Sequence, residues 1–123
     1  MQDLYLVEDS AIVRQRLEAL LTDIPGTRIV GHAGGAGEAV RDILAKHPDV
    51  VLCDLNLTQG TGFDVLRAVQ AKAPGIECYM LSNFSTPPYR RLAAELGARD
   101  FFDKSNEFER VRDVIARRAA IAA

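Results

Sequence analysis

Short apolar runs and stretches of helical period alternate five times along the chain, and this double rhythm restricts the fold more than any other feature. Residues 4–7 form a brief apolar run, after which Ile12, Val13, Leu17, Leu20 and Leu21 recur at helical spacing until Pro25 and Gly26 break the pattern. Residues 28–33 read as a second strand, followed by a helix with Val40, Ile43 and Leu44 on its inner face and His47-Pro48 at its end. A third strand at 50–53 leads through a polar loop, 54–61, into a helix carrying Phe63, Leu66 and Val69, and Pro74-Gly75 punctuates before a fourth strand at 76–81. Ser85 or Thr86 is expected to cap the fourth helix, with Pro87 at its first position, Tyr89, Leu92, Ala93 and Leu96 as its buried stripe and Gly97 as its stop. Residues 100–102 make a short fifth strand, and Phe108, Val111 and Ile115 mark a closing amphipathic helix. Apolar strands joined through helices predict an α/β, doubly wound parallel sheet covered on both faces and connected by right-handed crossovers.

Chemistry is concentrated at the ends of those strands. Glu8 and Asp9, Asp54, Ser82 and Lys104 each stand at or just past the C-terminal end of an apolar run. In a doubly wound sheet these ends open onto the crevice where ligands bind, so residues far apart in sequence meet there. Three carboxylates in one crevice raise one another's pKa unless a cation sits among them, which favours a hard, oxygen-loving ion such as Mg²⁺. Serine and lysine beside it suit a phosphoryl group.

Length and charge narrow the alternatives. A chain of 123 residues with 48% hydrophobic content is expected to form one domain, spanning 1–123, with a core of its own. The formal charge of −2 gives no overall attraction to nucleic acid or anionic membrane. Eight of the fifteen Lys and Arg residues fall between Arg90 and Arg118, but six acids share that stretch and no aromatics interleave with exposed basic residues. A solvated mixed-charge face, not direct nucleic-acid binding, is the expectation. Cys53 and Cys78 lie inside strand-like runs at offset positions, so buried reduced thiols are expected instead of a disulfide or metal pair. No apolar stretch approaches ~18 residues and the first strand begins almost at once, so a cytoplasmic protein without signal peptide or membrane span is expected.

Over essentially its whole length the chain resembles the receiver domain of bacterial two-component response regulators. The resemblance rests on Glu8-Asp9 after the first strand, Asp54 after the third, Ser82 after the fourth and Lys104 after the fifth, with Phe101 three residues before the lysine. It implies a flavodoxin-like (βα)5 fold with strand order 2-1-3-4-5. It further implies that Asp54 is the nucleophile, taking a phosphoryl group from a phosphohistidine on a sensor histidine kinase or histidine phosphotransfer protein. Mg²⁺ would be held by Asp9, Asp54 and the backbone carbonyl of Asn56, with Glu8 acting through water, and Lys104 would supply a second positioned cation. Such a protein catalyses its own phosphorylation and dephosphorylation without being a conventional enzyme. Ser82 would turn toward the phosphoryl group and Phe101 would rotate inward, altering the surface of the fourth helix, fifth strand and fifth helix, where a downstream effector protein or domain, or a second copy in a homodimer, would dock.

Three positions depart from the family pattern. Ser105 replaces the proline that follows the lysine in a cis peptide, and because a cis bond to serine costs ~3 kcal/mol the loop there is expected to differ. Asn83 replaces a small residue after the Ser82 hydroxyl, where it would crowd the site or donate to the phosphate and so change its lifetime. Thr58 stands where many members carry proline, which predicts a less rigid loop. Two other motifs are weaker. Gly31, Gly34, Gly35 and Gly37 suggest a dinucleotide loop, yet Val40 stands where a small residue is needed, so a permissive turn is the better reading. Asp54-Leu55-Asn56-Leu57-Thr58 faintly resembles the nucleophile motif of haloacid-dehalogenase-type phosphatases, but the second acid is missing and the acidic pair precedes the nucleophile. A receiver that is never phosphorylated and serves as an interaction module is the remaining alternative, which the complete acidic set disfavours. The sequence is compatible with a stand-alone receiver and with the receiver part of a longer regulator.

Overall fold

The protein is described here by a computed structural model covering residues 1–122. Ten elements alternate without exception: β1 (Gln2–Val7), α1 (Ala11–Leu21), β2 (Thr27–Ala33), α2 (Ala36–Lys46), β3 (Val50–Asp54), α3 (Gly62–Lys72), β4 (Glu77–Ser82), α4 (Pro87–Glu95), β5 (Asp100–Asp103) and α5 (Phe108–Ala122). The strands form one parallel sheet in the order β2-β1-β3-β4-β5, the doubly wound flavodoxin-like arrangement. Strands β3 and β4 extend one residue further than their apolar runs, because Asp54 and Ser82 complete the ladder while presenting polar side chains at its end.

Side chains alternate across the sheet and so divide the core in two. Tyr5, Val7, Val51, Cys53, Cys78, Met80 and Phe101 face α2, α3 and α4, whereas Leu4, Leu6, Val50, Leu52, Tyr79, Leu81 and Phe102 face α1 and α5. Burial on both faces explains why the strands are uniformly apolar. β2 carries an extra residue opposite β1 between Leu4 and Tyr5, which brings Gly31 across from Tyr5. A Cβ at Gly31 would stand 2.9 Å from the Tyr5 ring, so the tyrosine fits only over a glycine.

Local signals set the helix boundaries. Ser10 caps α1 by accepting from Val13 N, Thr61 and Asp64 form a capping box at α3, and His47 closes α2 in the left-handed region with φ 49°, ahead of Pro48. Helix α4 departs from expectation. Thr86 holds the cap position without a side-chain bond, and the Ser85 hydroxyl is instead given to Asp103. Of the expected α4 stripe only Ala93 is buried; Tyr89 remains 38% exposed, stacked on Phe63 at 6.5 Å and tilted against Phe84 at 5.8 Å. The helix rests on the sheet margin through small Ala93, so its first turn stands clear of the core. Ile12 is also exposed, since it lies five residues and hence about 140° around the helix from buried Leu17. Among the described residues no helix is long and apolar enough to cross a membrane.

Candidate functional site

The five predicted strand-end residues converge at one edge of the sheet. Glu8 and Asp9 follow β1, Asp54 ends β3, Ser82 ends β4 and Lys104 follows β5. One oxygen from each of Glu8, Asp9 and Asp54 lies within 4.8 Å of the others. Glu8 and Asp54 are buried and Asp9 is exposed, so the cluster opens to solvent on the Asp9 side. Lys104 reaches into it from the opposite edge: Nζ donates to Asp54 Oδ2 at 2.9 Å and stands 2.8 Å from Glu8 Oε1.

The electrostatics of this cluster are strained. Burial pushes the Glu8 carboxyl above its ordinary value; Lys104 pulls it back and the Asp54 charge pushes it up again. Burial alone would lower Lys104, but the Glu8 and Asp54 carboxylates outweigh it and hold the ammonium proton more firmly than usual. Ser10 N donates to Glu8 Oε2 at 3.1 Å, whereas the wholly buried Oε1 receives no aligned hydrogen bond, the lysine contact being off-line. Three hard oxygen donors, one of them lacking an aligned donor inside the protein, fit a small divalent cation.

The loop that carries Asn56 is pinned. Asn56 pairs with Thr61 across it, and Gly62 N donates to Leu55 O at 2.9 Å. Gly62 can hold this position only without a side chain, because a Cβ would collide with the Asp54 carbonyl and stand 2.8 Å from the Met80 methyl. The looseness expected from Thr58 is not found. Its N–H and hydroxyl both donate to Gly34 O, at 3.0 and 2.8 Å, while Gln59 accepts from Ala36 N and Gly37 N. A proline at position 58 could make neither Thr58 bond. The glycine-rich turn after β2 is thus the partner of the Asn56 loop, not a nucleotide cradle.

On the other side of the crevice the two remaining departures touch each other. Ser105 Oγ donates to Asn83 Oδ1 at 3.2 Å, and the Lys104–Ser105 peptide is trans, as are all those described. Ser82 is wholly buried, its Oγ accepting from Phe84 N at 3.1 Å. Phe101 differs from the expected switch: it is already inside, 4% exposed, with the Arg90 guanidinium 5.1 Å from its ring centroid, and so has no outward position here from which to rotate. In sequence Ser85 is a cap candidate and Arg90 one charge of a mixed face, while Asp103 and Glu107 are unmarked; that the four together join α4, β5 and the head of α5 is visible only in the fold.

The chain is similar in sequence and fold to known proteins. Residues 4–116 match the family described as the response regulator receiver domain. The chain is 33% identical over 86 residues to the DNA-binding transcriptional activator DevR/DosR of Mycobacterium tuberculosis, covering 70% of this chain and 40% of that protein. It is 33% identical over 121 residues to a protein-glutamate methylesterase/protein-glutamine glutaminase of Carboxydothermus hydrogenoformans, covering 97% of this chain but 35% of the relative. The chain therefore spans less than half the length of these curated relatives. Among solved structures, the response regulator domain of Thermotoga maritima CheB superposes with a TM-score of 0.87 at 25% identity, covering 99% of this chain and 96% of that one. A chain of the CheX-CheY-BeF3-Mg²⁺ complex of Borrelia burgdorferi has the same fold, with a TM-score of 0.81 at 21% identity, covering 93% of this chain and 89% of that one. With the acidic cluster and lysine at the ends of a 2-1-3-4-5 sheet, this chain belongs to the response regulator receiver domain family.

Proposed function

We propose that the chain is a phosphorylation-dependent switch in which Asp54 is the phosphoryl acceptor. The observation that carries this reading is Asp54 itself, buried between two further carboxylates and gripped by Lys104 through Oδ2. That grip leaves Oδ1 as the attacking oxygen. A P–O bond forms to Asp54 as the P–N bond of a donor phosphohistidine breaks, and the electron pair of that bond stays on the imidazole nitrogen. Because charge spreads over the equatorial phosphoryl oxygens, the site needs positioned cations more than a base. Lys104 follows the new charge from the carboxylate to a phosphoryl oxygen. Asp9, Asp54 and the Asn56 carbonyl would hold Mg²⁺, with Glu8 acting through water, and the bound ion would neutralise the remaining oxygens.

The donor is a sensor histidine kinase or a histidine phosphotransfer protein in the cytoplasm, and the receiver is the whole of this chain. Ser82 is the residue that senses the phosphoryl group. Its consequence is read on the face of α4, β5 and α5, where an effector protein or domain, or a second copy, docks. The mixed charges of that face, among them Arg91, Arg99, Asp100 and Arg110, support complementary pairing. With Mg²⁺ and acetyl phosphate the protein is expected to gain one acid-stable, base-labile phosphoryl group by intact mass, and Asp54→Asn none. An unmodified wild type at saturating donor, or an adduct on the Asn variant, removes this reading.

A further inference from the structure

The Arg90 side chain joins three elements at once. From α4, Nε donates to the Ser85 carbonyl in the β4–α4 loop at 2.8 Å, Nη1 to the Phe101 carbonyl of β5 at 3.0 Å, and Nη2 to Glu107 Oε1 before α5 at 2.9 Å. Its guanidinium carbon lies over the Phe101 ring. The same loop is tied twice more, by Ser85 Oγ to Asp103 at the end of β5 and by Ser105 Oγ of the β5–α5 loop to Asn83. Asp103 in turn orders that second loop by accepting from Ser105 N and Asn106 N, and its own N–H donates to Glu107 Oε1.

These contacts bear on how a signal leaves Asp54. Ser82 Oγ accepts from Phe84 N, and Phe84 immediately precedes Ser85. For the hydroxyl to reach a phosphoryl group on Asp54, the 83–86 segment must follow it, and beyond the Asn83 side-chain tie the first backbone atom held from outside the segment is the Ser85 carbonyl, in the grip of Arg90. Phe101, by contrast, is already buried with Asp54 unmodified, so its ring has no rotation to contribute.

Resting on the reading of Asp54 as phosphoacceptor, we propose that Arg90 is the positioning residue of the switch: it latches the 83–86 loop and α4 onto β5 and Glu107, and phosphorylation acts by working against that latch while Phe101 stays buried. A group that stabilises the unphosphorylated arrangement weakens binding of whatever favours the other, by linkage. Releasing the latch therefore tightens the phosphoryl mimic. Lysine keeps the charge but cannot serve three acceptors at fixed angles, so it is a partial release.

The test is beryllofluoride binding in the presence of Mg²⁺, by calorimetry, together with backbone amide shifts of residues 83–95 and 107–112. Arg90→Met, which keeps an unbranched side chain without the three donors, is expected to bind the mimic roughly five- to tenfold more tightly than wild type, with Arg90→Lys between them. Its amide shifts without the mimic are expected to lie part-way toward those of the loaded wild type. Glu107→Gln, which weakens one of the three contacts, is expected to move in the same direction to a smaller extent, and Phe101→Leu is expected to keep the wild-type shift pattern. Unchanged or weaker binding by Arg90→Met and Glu107→Gln, or loss of the pattern in Phe101→Leu, overturns the latch and leaves the Asp54 reading standing. Absence of mimic binding by wild type overturns both.

Discussion

At the scale of single residues, Glu8 carries the tension of the site. It is 2% exposed, and its carboxyl titrates above the usual range because burial disfavours its charge, with Lys104 offsetting this and Asp54 adding to it. A carboxyl whose folded pKa exceeds its unfolded value opposes folding when ionised. That opposition is complete above the folded pKa, fades as the pH falls through it, and is gone below the unfolded value of ~4.3. Glutamine carries no charge and keeps one oxygen, enough for Ser10 N, while Lys104 retains Asp54. In chelator at pH 7, Glu8→Gln is therefore expected to melt above wild type, and the gap to narrow on acidification toward pH 4; Mg²⁺ is expected to favour wild type. A scanning-calorimetry series in which the variant melts lower at pH 7, or the gap widens with acid, contradicts this account. Glu8 was legible in the sequence as one of an acidic pair at a strand end. Its burial was not, because adjacent Asp9 has the same chemistry and only the packing around β1 distinguishes them.

Between elements, the turn after β2 and the loop after β3 stabilise each other. Thr58 donates twice to Gly34 O, and Ala36 N donates to Gln59 O at 2.8 Å. Proline at position 58 would stiffen the unfolded chain, a gain of about 0.4–1 kcal/mol where the native backbone tolerates it, but here it removes a bonded N–H and a bonded hydroxyl worth about 0.5–1.5 kcal/mol each. Thr58→Pro is thus expected to lose about 1 kcal/mol in urea unfolding, although proline is common at this place in the family. A neutral or stabilised variant would show that chain stiffness dominates. The sequence marked position 58 as unusual and suggested looseness; the reason that reading failed is that the compensating acceptor, Gly34, lies 24 residues away. Helix α4 failed similarly. Its period was correct, but a period says only that Tyr89 and Ala93 share a stripe, while the sheet margin decides which of them is covered.

The whole molecule is a sheet between two cores, and its cysteines report on that closure. Cys53 and Cys78 are free and buried on neighbouring strands. Their pairing partners are Met80 and Val51, so the two thiols are offset, as the sequence reading expected. Burial pushes the Cys78 thiol up to about 11, with a smaller opposing effect from Gln70, and burial also raises the Cys53 thiol well above its ordinary value. Because the thiolate is the reactive form, neither is expected to be alkylated by iodoacetamide at pH 8 faster than the protein unfolds, at least ~100-fold more slowly than in denaturant. Rapid labelling of the folded protein at either residue, read by peptide mass, would mean that the α3 face of the sheet opens locally. By itself the sequence determined the architecture and the place of the chemistry: uniformly apolar strands alternating with helices require a parallel sheet covered on both faces, and a parallel sheet gathers every strand's C-terminal residue at one edge. Tertiary structure alone decided how that edge is wired. The Arg90 acceptors lie 5, 11 and 17 residues away on three different elements, and Phe101 is buried before any modification. Such contacts depend on the distances between packed elements, which the periodicity of a chain does not encode.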